Sequence, residues 1–147
     1  ERIGKKSMRY YVIAMAILLC AGCVAQPKPG ATLFQRIGGL PMLSRLSNQT
    51  LDIVSKDPRT SRSFEGVKMK TLKESVTNFL CVKTGGNCVY EGETMKKSHA
   101  DLHNTVAEFE IMVDVLRERM DANGVGTREK NELLRILAPM KYDVVTD

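Results

Sequence analysis

From Thr32 to the end of the chain, apolar residues recur with a period close to 3.6, and no run alternates with period 2. That pattern gives each of several helices one apolar stripe and provides no face for a sheet. Thr32 caps a short helix, TLFQRI, ended by Gly38-Gly39. Pro41 sits near the first turn of a second helix, where a missing N–H costs nothing. That helix runs to about Ser55 and stops before Asp57-Pro58. Leu72, Val76, Phe79 and Leu80 share one face of a third helix, which ends near Gly85-Gly86. A short helix over 95–102 carries both histidines. Thr105-Val106-Ala107-Glu108 spells a capping box. It opens a long helix with Phe109, Met112, Val113, Leu116 and Met120 on one face, broken at Gly124 and Gly126. Leu133, Leu134, Ile136, Leu137 and Met140 mark a final helix, loosened at Pro139. The expectation is an all-α fold, a bundle of about six helices. The chain's 147 residues hold one domain of this kind. Eight Met and no Trp suit a soft, adaptable core.

The N-terminus has a different character. Residues 1–23 carry Arg2, Lys5, Lys6 and Arg9, then an apolar run from Tyr10 to Leu19, then small residues. This is the layout of an export signal, and Met8 reads as its natural start. Extended to Ala25, the run reaches only about 16 residues, short of the roughly 20 that span a bilayer. Ala21-Gly22-Cys23 resembles the lipobox of bacterial lipoproteins, with Cys20 where that family has Leu. The resemblance implies a diacylglyceryl group on Cys23 and a membrane anchor, since each buried methylene adds about 0.8 kcal/mol. A plain cleaved signal or an uncleaved anchor are the alternatives. Residues 24–31 then form a proline-containing linker, and 32–147 the folded domain.

A net charge of +5 raises the question of nucleic acid. Its distribution answers against it. Arg2, Lys5, Lys6 and Arg9 face Glu1 alone, so three of the five net charges lie in the first 23 residues. The remaining 18 Lys and Arg are set against 16 Asp and Glu, with no basic stripe to track phosphates.

The chemistry-bearing residues are few. His99 and His103 are the only histidines, spaced i, i+4 on one expected helix, with Cys81 and Cys88 ahead of them. Three readings are open. Two Cys and two His form a loose zinc set, although the first pair is spaced too widely for a knuckle. Alternatively Cys81 and Cys88 pair, the Gly85-Gly86 turn folding the chain back so that the thiols meet; an oxidising compartment favours this over free thiols. Finally, one His beside an apolar cleft is enough to hold haem iron, non-covalently because no Cys-x-x-Cys-His is present.

Four segments resemble the group I truncated haemoglobins, bacterial globins with a two-over-two helical sandwich. They are LFQRIGG, DPRTSRSFEGVKM, FLCVKTGGNCVYEGETMKKSHADL and NELLRILAPMKYDVVTD, in order and without gaps over about residues 32–146. The resemblance implies a globin-like fold holding haem b, with His99 as proximal iron ligand and Phe64 packed on the haem face. Leu51, Leu72, Val76 and Leu80 would line the cofactor's distal side, Phe79 would also contact it, and Tyr90 and Met95 belong to the segment passing its edge. Lys96 and Lys97 would lie near the propionates. A Cys81–Cys88 bridge is also similar to a feature of some members.

This sequence departs from the family on the distal side. Leu51 and Val76 stand where many members place Tyr or Gln to hydrogen-bond oxygen, and Ser75 stands where some place a ligating His or Lys. Loss of a charge-assisted hydrogen bond implies roughly ten- to hundredfold faster escape of bound oxygen. The expected function is therefore reversible binding of a diatomic gas (O2, NO or CO) by an envelope-anchored carrier-type haem protein. The alternative is a haem enzyme, a nitric-oxide dioxygenase or a peroxidase-like activity served by a reductase. A haem-free or zinc-binding helical lipoprotein is a further alternative. His103, one turn beyond His99, is expected as an exposed residue at the helix C-terminus.

Overall fold

The computed structural model describes residues 30–147, and the expected export signal, Cys23 and residues 24–29 of the expected linker lie outside them. Among the described residues every regular element is helical. In chain order these are α1 (Leu33–Ile37), α2 (Gly39–Val54), α3 (Met69–Lys83), α4 (Met95–His99), α5 (Val106–Ala122), α6 (Thr127–Leu137) and α7 (Lys141–Val144). Single 3-10 turns cover Ser61–Phe64 and Ala138–Met140. None of these helices is long and apolar enough to cross a membrane.

Local chemistry accounts for most boundaries. Thr32 caps α1 reciprocally: its hydroxyl accepts from Gln35 N–H and its own N–H donates to the Gln35 side chain. Gly38 then turns left-handed, at φ 109°, which separates α1 from α2 without a loop. The capping box at Thr105 and Glu108 is formed as the sequence predicts. Pro139 lies in the 3-10 turn that divides the expected last helix into α6 and α7.

The core is the shared interior of four helices. α2 packs against α3 on one side and α5 on the other, and α6 packs against α5. Leu43, Leu46, Met120 and Leu133 are fully buried there, each large aliphatic contributing on the order of 1.5–3 kcal/mol. Two ties hold the periphery. Arg36 of α1 bonds Glu129 and Glu132 of α6, and Phe34 N–H donates to the Thr84 carbonyl at the end of α3.

A disulfide joins Cys81 and Cys88 across the Gly85-Gly86 turn, with Cα atoms 6.0 Å apart. Cys81 is fully buried in α3, so the bridge moors the following loop to the core. One element is shorter than predicted. α4 stops at His99, and His103 lies beyond it at φ 49°, exposed in the turn before α5. The two histidines therefore do not share a helix face. The Arg62 guanidinium donates to the Leu102 and His103 carbonyls and so holds the turn beyond α4 in place.

Candidate functional site

A cavity of about 430 Å3 opens between the inner faces of α2, α3, α4, α5 and the C-terminal turn. That size and a mainly apolar wall are typical of a cofactor site. All nine residues singled out from the sequence line it: Leu51 from α2; Leu72, Val76, Phe79 and Leu80 from α3; Phe64, Tyr90, Met95 and His99 from the segments that close it. Residues as far apart in sequence as Ser47 and Val144 thus meet because α2, α3 and α5 turn their apolar stripes inward together.

Each wall has a local cause. Phe79 and Tyr90 meet edge to face, their centroids 5.3 Å apart, and the Cys81–Cys88 bridge between them keeps Tyr90 against α3. The Tyr90 hydroxyl donates to the Glu93 carbonyl at 2.8 Å, which pins the loop leading into α4. Thr94 caps α4 by accepting from Lys97 N–H. At the far end Thr146 N–H bonds the Asn104 carbonyl, holding Met140 and Val144 over the cavity.

His99 is the one imidazole on the wall. Its Nδ1 lies 2.8 Å from the Met95 carbonyl, one turn earlier in α4. A carbonyl only accepts, so in the neutral ring Nδ1 carries the proton and Nε2 keeps its lone pair. This is how metal-binding histidines are oriented: a bond on one nitrogen frees the other and holds the ring. His103 does not line the cavity, and Lys97 turns away to pair with Glu93. Zinc lacks its expected ligands, because both thiols are spent in the bridge and no three potential ligands gather among the described residues. One imidazole facing an apolar slot instead fits a planar metal cofactor that brings its own equatorial ligands.

The lower rim is polar. Glu108 is buried, and its Oε2 accepts from Arg62, Thr105 N–H and the Thr105 hydroxyl. Burial alone would raise this carboxyl, but the Arg62 guanidinium and the two Thr105 donors outweigh it and hold it below its ordinary value of 4.5. Ser63 donates to Asn104 beside it.

Sequence reasoning missed part of the lining. Ser47 and Thr50 of α2 face the cavity beside Leu51 and Val54, and both hydroxyls are buried without a partner. Leu51 and Val76 are apolar wall, as expected, yet the cavity is not bare of donors. The signal was present: 47, 50, 51 and 54 follow the same i, i+3, i+4, i+7 spacing, with two polar members that an apolar count passes over. Phe109, Met112 and Leu116 of α5, which the sequence marks only as one helix face, also line the cavity.

Residues 32–146 match the family model of the bacterial-like globins. The chain is 28% identical over 116 residues to the group 1 truncated hemoglobin of Mycolicibacterium paratuberculosis, covering 79% of this chain and 85% of that protein. It is 27% identical over 111 residues to the group 1 truncated hemoglobin of Nostoc commune, covering 76% and 94%. Among solved structures, the truncated hemoglobin of Tetrahymena pyriformis in its Fe(III) form superposes with a TM-score of 0.75 at 20% identity, over 80% of this chain and all of that one. The cyanomet 2/2 hemoglobin of Synechococcus, with covalently attached heme, gives 0.74 at 22% identity with the same coverage of both chains. At such identities the superpositions establish the fold, an all-helical truncated globin.

Proposed function

Because this chain belongs to the bacterial-like globin family, we propose that its cavity holds haem b with His99 as the proximal iron ligand, and that it binds a diatomic gas reversibly. One observation carries the reading: the His99 Nδ1–Met95 carbonyl bond leaves Nε2 as the sole imidazole lone pair available to a mainly apolar cavity. The bound group supplies the iron that takes up the gas. The chain's own residues do the rest. Phe64, Leu72, Val76, Phe79 and Leu80 exclude bulk water and grip a flat apolar ring, while Tyr90 and Met95 close its edge. Excluding water protects a reduced metal from oxidation and side reactions.

Titration of the haem-free chain with haem tests this reading. A saturable Soret band is expected for the wild type and for His103→Ala, and its loss for His99→Ala. An unchanged band in His99→Ala would overturn the ligand assignment. Absence of a band in the wild type would overturn the cofactor.

Attachment to the cell envelope is a separate part of the proposal and rests on residues 1–23 alone. Export followed by acylation of Cys23 would put the haem domain at the membrane surface, where a membrane-bound reductase could return its iron to the ferrous state. Metabolic labelling with palmitate tests it: label in the wild type and none in Cys23→Ser is the expected result, and an unlabelled wild type refutes it.

A further inference from the structure

We propose that the Ser47 and Thr50 hydroxyls form a hydrogen-bond donor pair inside the cavity, selecting for a diatomic guest whose bound form carries negative charge. Most hydroxyls of the cavity are already committed or exposed. Thr60 gives its proton to the Val54 carbonyl at 2.5 Å, Ser63 to Asn104 at 2.9 Å and Tyr90 to the Glu93 carbonyl. Ser98 is exposed and Ser75 partly so, and both are open to solvent. Of the cavity's hydroxyls Ser47 and Thr50 remain, 2% and 4% exposed, each without a partner.

Their environment makes this unusual. A helical Ser or Thr normally bonds the carbonyl one turn back. Thr77 and Thr84 do so in α3 and at its end, at 2.7 Å each. Ser47 and Thr50 sit in the middle of α2 with the same option and do not take it. Both belong to the stripe that α2 turns to the cavity, between the walls made by α3 and α5. A buried donor left unmade is costly, so the pair is built to be satisfied by something entering the cavity. A guest with a partly negative end gains from both hydroxyls. Carbon monoxide, which stays nearly neutral, gains little. The pair thus supplies from one turn of α2 the polar contact that Leu51 and Val76 lack.

This inference rests on the haem reading, and the experiment separates the two. The full chain, loaded with haem and reduced, is compared with Thr50→Val, Ser47→Ala and Thr50→Ser. Removing a donor is expected to release O2 about tenfold faster, the equivalent of one net hydrogen bond, with CO release changed less than about twofold. The C–O stretching frequency of the CO-loaded protein is expected to rise in Thr50→Val and Ser47→Ala. Thr50→Ser, which keeps the hydroxyl, is expected to retain wild-type values. Equal acceleration of O2 and CO would mean altered packing or entry and would overturn the proposal. So would unchanged rates and frequency in both donor-removing variants. A chain that forms no Soret band refutes the cofactor itself and takes the donor pair with it.

Discussion

Opening the Cys81–Cys88 bridge should cost this domain about 2.5 kcal/mol. The bridge closes a loop of eight residues, from a sequence separation of 7. The chain-entropy relation for that loop length gives roughly this value at 25 °C, chiefly by removing conformations from the unfolded chain. Spread over a domain of this size, it corresponds to a fall in Tm of about 10 °C, or about 1 M in the urea midpoint. The effect is also local. Cys81 is fixed in the core and Tyr90 follows Cys88 by two residues, so release frees the segment whose ring packs on Phe79. Urea denaturation of the haem-free chain with and without reductant, and of Cys81→Ala/Cys88→Ser, measures the global effect. Near-ultraviolet dichroism reads the tyrosine's environment. The expected result is a lower midpoint at nearly constant slope, with a reduced tyrosine signal. A midpoint within about 0.3 M of the oxidised protein would refute the reasoning, since it would mean that the unfolded chain already confines that loop without the bridge. A lower midpoint with Tyr90's signal intact would leave the entropy argument standing and refute the link to the cavity wall.

Further outcomes follow from named contacts. The Glu108 carboxyl is held below 4.5, so its ionised form stabilises the fold fully above that pH and this contribution drains away as pH falls through the lowered value; Glu108→Gln should flatten the acid limb of a stability-versus-pH curve below 4.5, and an unchanged limb refutes it. Gly86→Ala puts a Cβ 2.5 Å from the Cys81 sulfur and 2.7 Å from the Phe34 ring, both in packed surroundings; a loss of about 1–3 kcal/mol is expected by denaturant melting, and a neutral variant would show that the turn can shift. Thr105→Ala removes the N-cap of α5 and two of the bonds on Glu108; a loss of about 1 kcal/mol is expected by the same assay.

The helices themselves are legible in the sequence because their signals are local. Apolar spacing, the Thr105–Glu108 box, Pro41 near a helix start and the glycine breaks act within one or two turns of backbone. The same locality explains the failure at His103. Apolar spacing over 95–102 does not announce that α4 ends at His99, and the turn beyond it is held by Arg62, about 40 residues away, a contact that no local pattern records. The resemblance selected His99 and the wall around it, and each of those residues faces one cavity.

By itself, then, the sequence determined that this is an all-helical domain, where its helices begin, and which imidazole is the candidate ligand. Tertiary structure alone decided how the polar groups are used. Whether a hydroxyl is spent or free depends on what stands opposite it, and spacing along one helix carries no record of that. Thr60, Ser63 and Tyr90 are committed to neighbours, and Ser47 and Thr50 are enclosed without a partner. Likewise the proton on His99 is assigned to Nδ1 by the Met95 carbonyl, a contact that exists only once α4 is wound.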